Sequence, residues 1–119
     1  MLTIKQLQEK LDKLDYDTTL LTDEEFNLFS RFTILRGHDG KLLKHFKDKL
    51  YLMLGVFEHT ETGEYMVAYK AMYGEYKQYV RPIDMFLSRV DKDKYPDIEQ
   101  EYRFEFIELG EFINKEAIY

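Results

Sequence analysis

At Gly37-His38-Asp39-Gly40 the hydrophobic period of the chain changes, and no one regular structure accommodates both sides of that change. Before it, Ile4, Leu7, Leu11 and Leu14 recur at helical spacing, with Lys5, Gln8, Glu9, Lys10, Asp12 and Lys13 outside the stripe. Thr3 to Gln6 has the form of a capping box, a hydroxyl N-cap with an amide three residues later. Thr22 to Glu25 repeats the device ahead of a second, shorter helix, with Asp23, Glu24 and Glu25 at its positive end. Phe26, Phe29 and Phe32, beside Leu28, are the expected apolar face of that helix.

From Lys41 the period is two. Leu42 to Phe46 reads as a strand, Lys47-Asp48-Lys49 as a turn and Leu50 to Glu58 as a longer strand. His59 to Gly63 is a short hairpin loop, with Gly63 available for positive φ. Glu64 to Met72 returns with Tyr65, Val67, Tyr69 and Ala71 on one face and Met66, Ala68, Lys70 and Met72 on the other. Gly74 and Glu75 break the chain, and Tyr79 to Arg81 is a further short strand ended by Pro82. Ile83 to Arg89 fits a helical turn followed by a strand, a choice the pattern leaves open. Asp91 to Gln100 is charged, carries Pro96 and reads as a loop, and Tyr102 to Ile107 alternates as a closing strand. The end, with Phe112, Ile113 and Ile118, fits either a docked short helix or a frayed terminus.

These elements define an α+β fold, with N-terminal helices followed by a small antiparallel, partly open β-barrel-like sheet whose curl hides strand edges. The expected organisation is a helical extension at 1–36, a β-rich unit at 41–107 that folds on its own, and a tail at 108–119. The apolar stripe of the first helix must be buried somewhere, and a second copy of the chain is the simplest expected partner.

The chain has 119 residues and no cysteine, which excludes disulfides and thiolate metal sites and makes an intracellular, cytoplasmic setting the expectation. No segment approaches the roughly 18 apolar residues that cross a bilayer. Met1 to Tyr16 mixes lysines and acids instead of carrying a leader's apolar core. The net charge of −6 is uneven: −3 over 1–40, +2 over 41–90 and −5 over 91–119. That balance disfavours non-specific nucleic-acid binding, which needs concentrated positive surface, while leaving room for a local anion site in the middle.

A linked set of motifs runs through that middle: His45-Phe46-Lys47, Tyr51, Glu58-His59-Thr60-Glu61-Thr62, Tyr69-Lys70-Ala71-Met72-Tyr73-Gly74, Val80-Arg81-Pro82 with Met85-Phe86, and finally Arg103-Phe104. In this order the set resembles the small bacterial and phage family known as domain of unknown function sixteen fifty-three, over about residues 41–104. Asp48 departs from it, standing where a glycine or asparagine turn residue is common, and the helical front lies outside the domain. The resemblance implies a compact β-rich module and carries no activity with it.

The candidate functional residues lie in the same block. Lys41, Lys44, His45, Lys47 and Lys49 surround Phe46, which suits either an anion grip beside an aromatic platform or a solvated edge strand guarded by lysines. Arg81 precedes proline, so its backbone is extended and its planar fork is directed reproducibly, toward a phosphate or carboxylate or toward a structural partner among Asp84, Glu75 and Glu101. Tyr65, Tyr69, Tyr73, Tyr76 and Tyr79 crowd one stretch, where some pack in the core and one or two line a groove. His38, His45 and His59 match no metal-ligand spacing, and no P-loop, nucleophile elbow or dinucleotide fingerprint is present.

The leading expectation is a non-catalytic module, without metal or cofactor, whose groove at Lys44, His45, Lys47, Tyr69, Tyr73 and Arg81 takes a small anionic ligand or peptide. One alternative is a phage-type interaction or inhibitor protein, counter-defence and anti-CRISPR-like, that engages a host protein through its acidic surface or helical front. The other is an enzyme with His45 or His59 as general base.

Overall fold

The computed structural model describes residues 2–107, so the expected docked helix or frayed terminus around Phe112 lies outside the described residues. Helix α1 spans Ile4–Lys13 and helix α2 spans Asp23–Arg36, joined through a short 3₁₀ turn at Thr18–Leu20. Both capping boxes close. The Thr3 Oγ1 accepts from the Gln6 N–H at 3.1 Å while Gln6 Oε1 accepts from the Thr3 N–H at 3.0 Å, and Thr22 and Glu25 repeat the exchange at 3.2 and 2.8 Å.

Helix α2 differs from expectation in two respects. With 14 residues against 10 it is the longer helix. Its buried residues are Phe32 and Leu35, with Leu28 packed against the core, whereas Phe26 is 50% exposed. The reason is geometric: residues three apart slip back by about 60° around a helix of 3.6 residues per turn, so Phe26, Phe29 and Phe32 spiral off any flat contact. Leu28, Phe32 and Leu35 stay within one stripe.

Five strands follow: β1 Leu42–His45, β2 Lys49–Glu58, β3 Tyr65–Ala71, β4 Gln78–Pro82 and β5 Phe104–Phe106, with the one-turn helix α3, Ile83–Phe86, between β4 and β5. They form one antiparallel sheet in the order β4-β3-β2-β1-β5. The open segment after α3 becomes an isolated bridge between Arg89 and Tyr102. Asp48 turns β1 into β2 with φ 61°, a left-handed conformation that aspartate tolerates through its short polar side chain. Opposite β3, strand β2 carries a bulge between Met53 and Gly55, where a Cβ on Gly55 would meet the Phe57 ring at 3.2 Å. A bulge bends its strand and strengthens the local twist.

The bend closes the sheet into a trough. In a flat sheet, four strand spacings would separate β4 from β5 by roughly 19 Å. Instead the Arg81 guanidinium carbon on β4 lies 6.0 Å from the centre of the Phe104 ring on β5, and that ring lies 5.3 Å from Tyr69 on β3. The two outer strands are not hydrogen-bonded to each other, so the trough stays open.

One end of the trough is filled by the helical front. Ile4, Phe32 and Leu35 share a single buried cluster with Leu43, Met53 and Val67 of the sheet. Asp84 ties the junction, its Oδ1 accepting from the Ile4 N–H at 2.8 Å. The α1 stripe of Ile4, Leu7 and Leu11 is at most 2% exposed within one chain, so it needs no second copy to cover it.

The shared cluster makes a direct prediction. Ile4→Ala should cost about 2–4 kcal/mol in urea unfolding, the range for truncating a buried aliphatic side chain, and should shift the unfolding of helices and sheet together. Phe26→Ala, on the exposed side of α2, should change stability by no more than about 0.5 kcal/mol. Equal small effects at both positions would mean that the front does not belong to the core.

Candidate anion-binding site

The other end of the trough is paved with rings. Pleat alternation places His45, Tyr51, Tyr69 and Phe104 on the face that carries Leu43 and Met53 deeper in, because Leu43 pairs with Tyr51, Met53 with Tyr69 and His45 with Phe104. The His45 ring lies 5.0 Å from Phe104, 4.4 Å from Phe46 and 6.2 Å from Tyr51. Beneath them Phe104 stacks on Phe86 of α3 at 4.2 Å and 7°. The site thus stands on a rigid floor.

Cations ring this floor. Arg81, Lys47 and Arg103 all lie close enough to His45 to oppose charge on its imidazole. Burial first, then these three cations, hold the His45 pKa down at about 4. Its Nδ1 accepts from the Lys47 N–H at 3.2 Å, which leaves Nε2 to carry the proton of the neutral ring. Lys47 also sits beside the Tyr95 hydroxyl and draws that phenol's pKa below its ordinary value. Among the described residues no carboxylate pairs with Arg81, Lys47 or Arg103, and the buried Nε of Arg103 has no hydrogen-bond partner. Chemically Arg81 and Lys47 are N–H donors beside an aromatic surface.

Tyr73 and Tyr79 form the rim toward the β3–β4 turn. The Tyr73 and Tyr51 hydroxyls share a hydrogen bond of 2.6 Å. Burial, that bond and the neighbouring phenols push the Tyr51 pKa up, so it stays protonated. Tyr73 and Tyr79 line a cleft of about 250 Å³ together with Ala71, Gly74, Glu75 and Lys77.

Of the residues singled out from the sequence, the fold brings His45, Lys47, Tyr73 and Arg81 to this end of the trough. Tyr69 is only 5% exposed and belongs to the core, supporting the floor without offering a contact surface. Lys44, one step from His45, alternates to the opposite face of the sheet and pairs with Asp48 at 3.1 Å. Tyr51, Phe104 and Tyr79 join the site without having been singled out as ligand residues. All but Tyr79 belong to the motif set quoted above, and Tyr79 was part of the tyrosine run.

The other histidines do different work. His59 Nδ1 accepts from the backbone N–H groups of Glu61 and Thr62 and so orders its own hairpin. His38 Nδ1 donates to the Ile34 carbonyl at the end of α2. Among the described residues no group of histidines and carboxylates is arranged to hold a metal, and no helix is long and apolar enough to cross a membrane. A larger hollow of about 430 Å³ lies between α2 and the segment after α3. Its cations are already engaged: Arg31 donates to the Leu87 carbonyl and stacks 3.4 Å over Tyr102, and Arg89 pairs with Glu101.

Comparison with known proteins bears on the same region. A family model described as "Protein of unknown function (DUF1653)" matches residues 41–106. A crystal structure of a protein of that family from Bordetella bronchiseptica superposes with a TM-score of 0.50 at 23% identity, covering 61% of this chain and 91% of its own. At that identity the likeness concerns the fold alone. No curated protein matches the chain.

The depressed pKa of His45 gives stability a sign with pH. The folded protein resists protonation down to about 4, whereas the unfolded chain takes up the proton near 6.5. The contribution of His45 is therefore full above pH 6.5 and is lost as pH falls toward 4. Proton-coupled NMR shifts should place the His45 titration near 4, and His45→Phe should flatten the fall in melting temperature across that interval. A titration near 6.5 would show that the ring is neither buried nor crowded by cations.

Proposed function

Since the chain belongs to the DUF1653 family, whose description assigns no activity, its function has to be read from its own site, and we propose that it is a non-catalytic module that captures a small anion in the aromatic trough. The observation that carries this reading is the placing of Arg81 over Phe104 and of Lys47 over Phe46, the two rings that His45 packs against, with no described carboxylate pairing with either cation. Like charges brought together without a counter-charge repel one another, and the partly buried Arg81 also loses solvation. A bound phosphate or carboxylate removes both costs. The planar fork of Arg81 supplies a directed pair of donors, Lys47 a movable one, and His45 Nε2–H a neutral one that adds a bond without adding repulsion.

The same electrostatics support a binding role over a catalytic one. With a pKa of about 4, His45 is a weak proton acceptor at neutral pH. His59 is committed to its own loop.

Inorganic pyrophosphate is a suitable probe. It should raise the melting temperature of the full chain by mass action, and the effect should shrink with added salt, since exposed charges are screened over about 10 Å at 0.1 M ionic strength. Arg81→Ala should remove most of the stabilisation and Arg81→Lys should restore part of it. In the Arg81→Ala protein the His45 titration should also move up toward its ordinary value, which checks the local electrostatics independently of binding. An Arg81→Ala protein that loses several kcal/mol of fold stability, as on breaking a buried ion pair, would make Arg81 structural. Undiminished pyrophosphate stabilisation in that variant would place the anion elsewhere.

A further inference from the structure

We infer that the anion is the phosphate of a mononucleotide whose base stacks in the cleft lined by Tyr73 and Tyr79, a deepening that rests on the anion site proposed above. Tyr73 and Tyr79 are 38% and 41% exposed and both line a cleft of about 250 Å³. Half-exposed rings lining an opening offer π-faces to a planar group, and every nucleobase has one. Both rings are held in place before anything binds. Tyr79 rests against the buried Tyr69 at 5.7 Å, and Tyr73 is anchored through its hydroxyl to Tyr51. A ring already fixed loses little entropy when a ligand stacks on it.

The cleft is open because of what lines it. Ala71 contributes only a methyl group to its floor. Gly74 sits at φ 60° in the turn, with no side chain to fill the space. At the lip Glu75 and Lys77 face each other at 3.5 Å and stay mostly exposed, offering an acceptor and a donor to the edge of a base. No other described residue lines this opening.

Spacing links the cleft to the cations. Tyr79 and Arg81 are two residues apart on one strand and face the same way, across from Tyr69 and Val67, a separation of roughly 6.8 Å along β4. That matches the short reach of a ribose between a base and its own 5′-phosphate. A sugar phosphate has no ring for the cleft, and pyrophosphate engages only the cations. A longer nucleic acid meets a molecule whose overall net charge of −6 repels further phosphates. A single nucleotide suits the site best.

Calorimetric titration of the full-length protein separates these elements. AMP and CMP should bind about tenfold more tightly than ribose 5-phosphate, the effect of stacking one base. Tyr79→Ala should bring both nucleotides down to the ribose 5-phosphate level, and Tyr79→Phe should keep the wild-type preference. Equal affinity for nucleotides and ribose 5-phosphate, or a Tyr79→Ala protein that keeps the preference, overturns this inference while pyrophosphate binding still supports the anion site. A short single-stranded oligonucleotide that binds more tightly than AMP, with a steeper salt dependence, overturns the mononucleotide assignment. If pyrophosphate, ribose 5-phosphate and AMP all fail to bind, the anion site falls and the inference with it.

Discussion

The packing of the Phe104 ring is the contact on which the rest of this molecule depends. Strand β5 adds to the sheet beside β1, far in sequence from its neighbours, and delivers Phe104 into the trough. There the ring stacks on Phe86, lies beside His45, Tyr51 and Tyr69, and lies near the guanidinium of Arg81 from the opposite edge. Aromatic pairs add about 0.5–1.5 kcal/mol beyond the area they bury. Phe104 collects several of them at once, and in doing so it draws the two edges of an open sheet toward each other. The hydrophobic core and the floor of the candidate site are therefore one structure.

That arrangement explains how a chain of net charge −6 carries a cationic site. Ring faces carry partial negative charge and stabilise nearby cations without hydrogen-bonding them away from a ligand. Arg81 over Phe104 is held in this way, while Lys47 lies near Phe46 and beside the Tyr95 hydroxyl. The acidic residues that balance the total are spent on helix N-termini and turns: Asp23, Glu24 and Glu25 at the start of α2, and Asp91 accepting from the backbone N–H groups of Asp93 and Lys94.

Much of the site was legible beforehand, though not its membership. Arg81 stands out because the following proline forces an extended backbone, and His45 and Lys47 because they cluster around Phe46. Lys44 looked equivalent to its neighbours, yet alternation sends it to the far face. Strand pairing was needed to decide which of two adjacent basic residues faces the trough. Tyr69 and Tyr79 pair across β3 and β4, but Tyr69 is covered by Phe86 and Phe104 while Tyr79 sits at the edge in solvent. Burial depends on what arrives from elsewhere in the chain.

The sequence by itself determined whatever is settled within a few residues: both capping boxes, the change of period at residues 37–40, the turns, and the inward set Tyr65, Val67, Tyr69 and Ala71. These follow from local hydrogen bonds and from side-chain periodicity, which neighbouring residues already specify. Tertiary structure alone decided that the helical front fills one end of the trough, and that Phe104 reaches the same site as Arg81 and His45. Those outcomes turn on the bulge at Gly55 and on the pairing of β5 with β1. A bend in one strand and a contact between distant segments set the curvature of the whole sheet, and no short stretch of sequence contains that curvature.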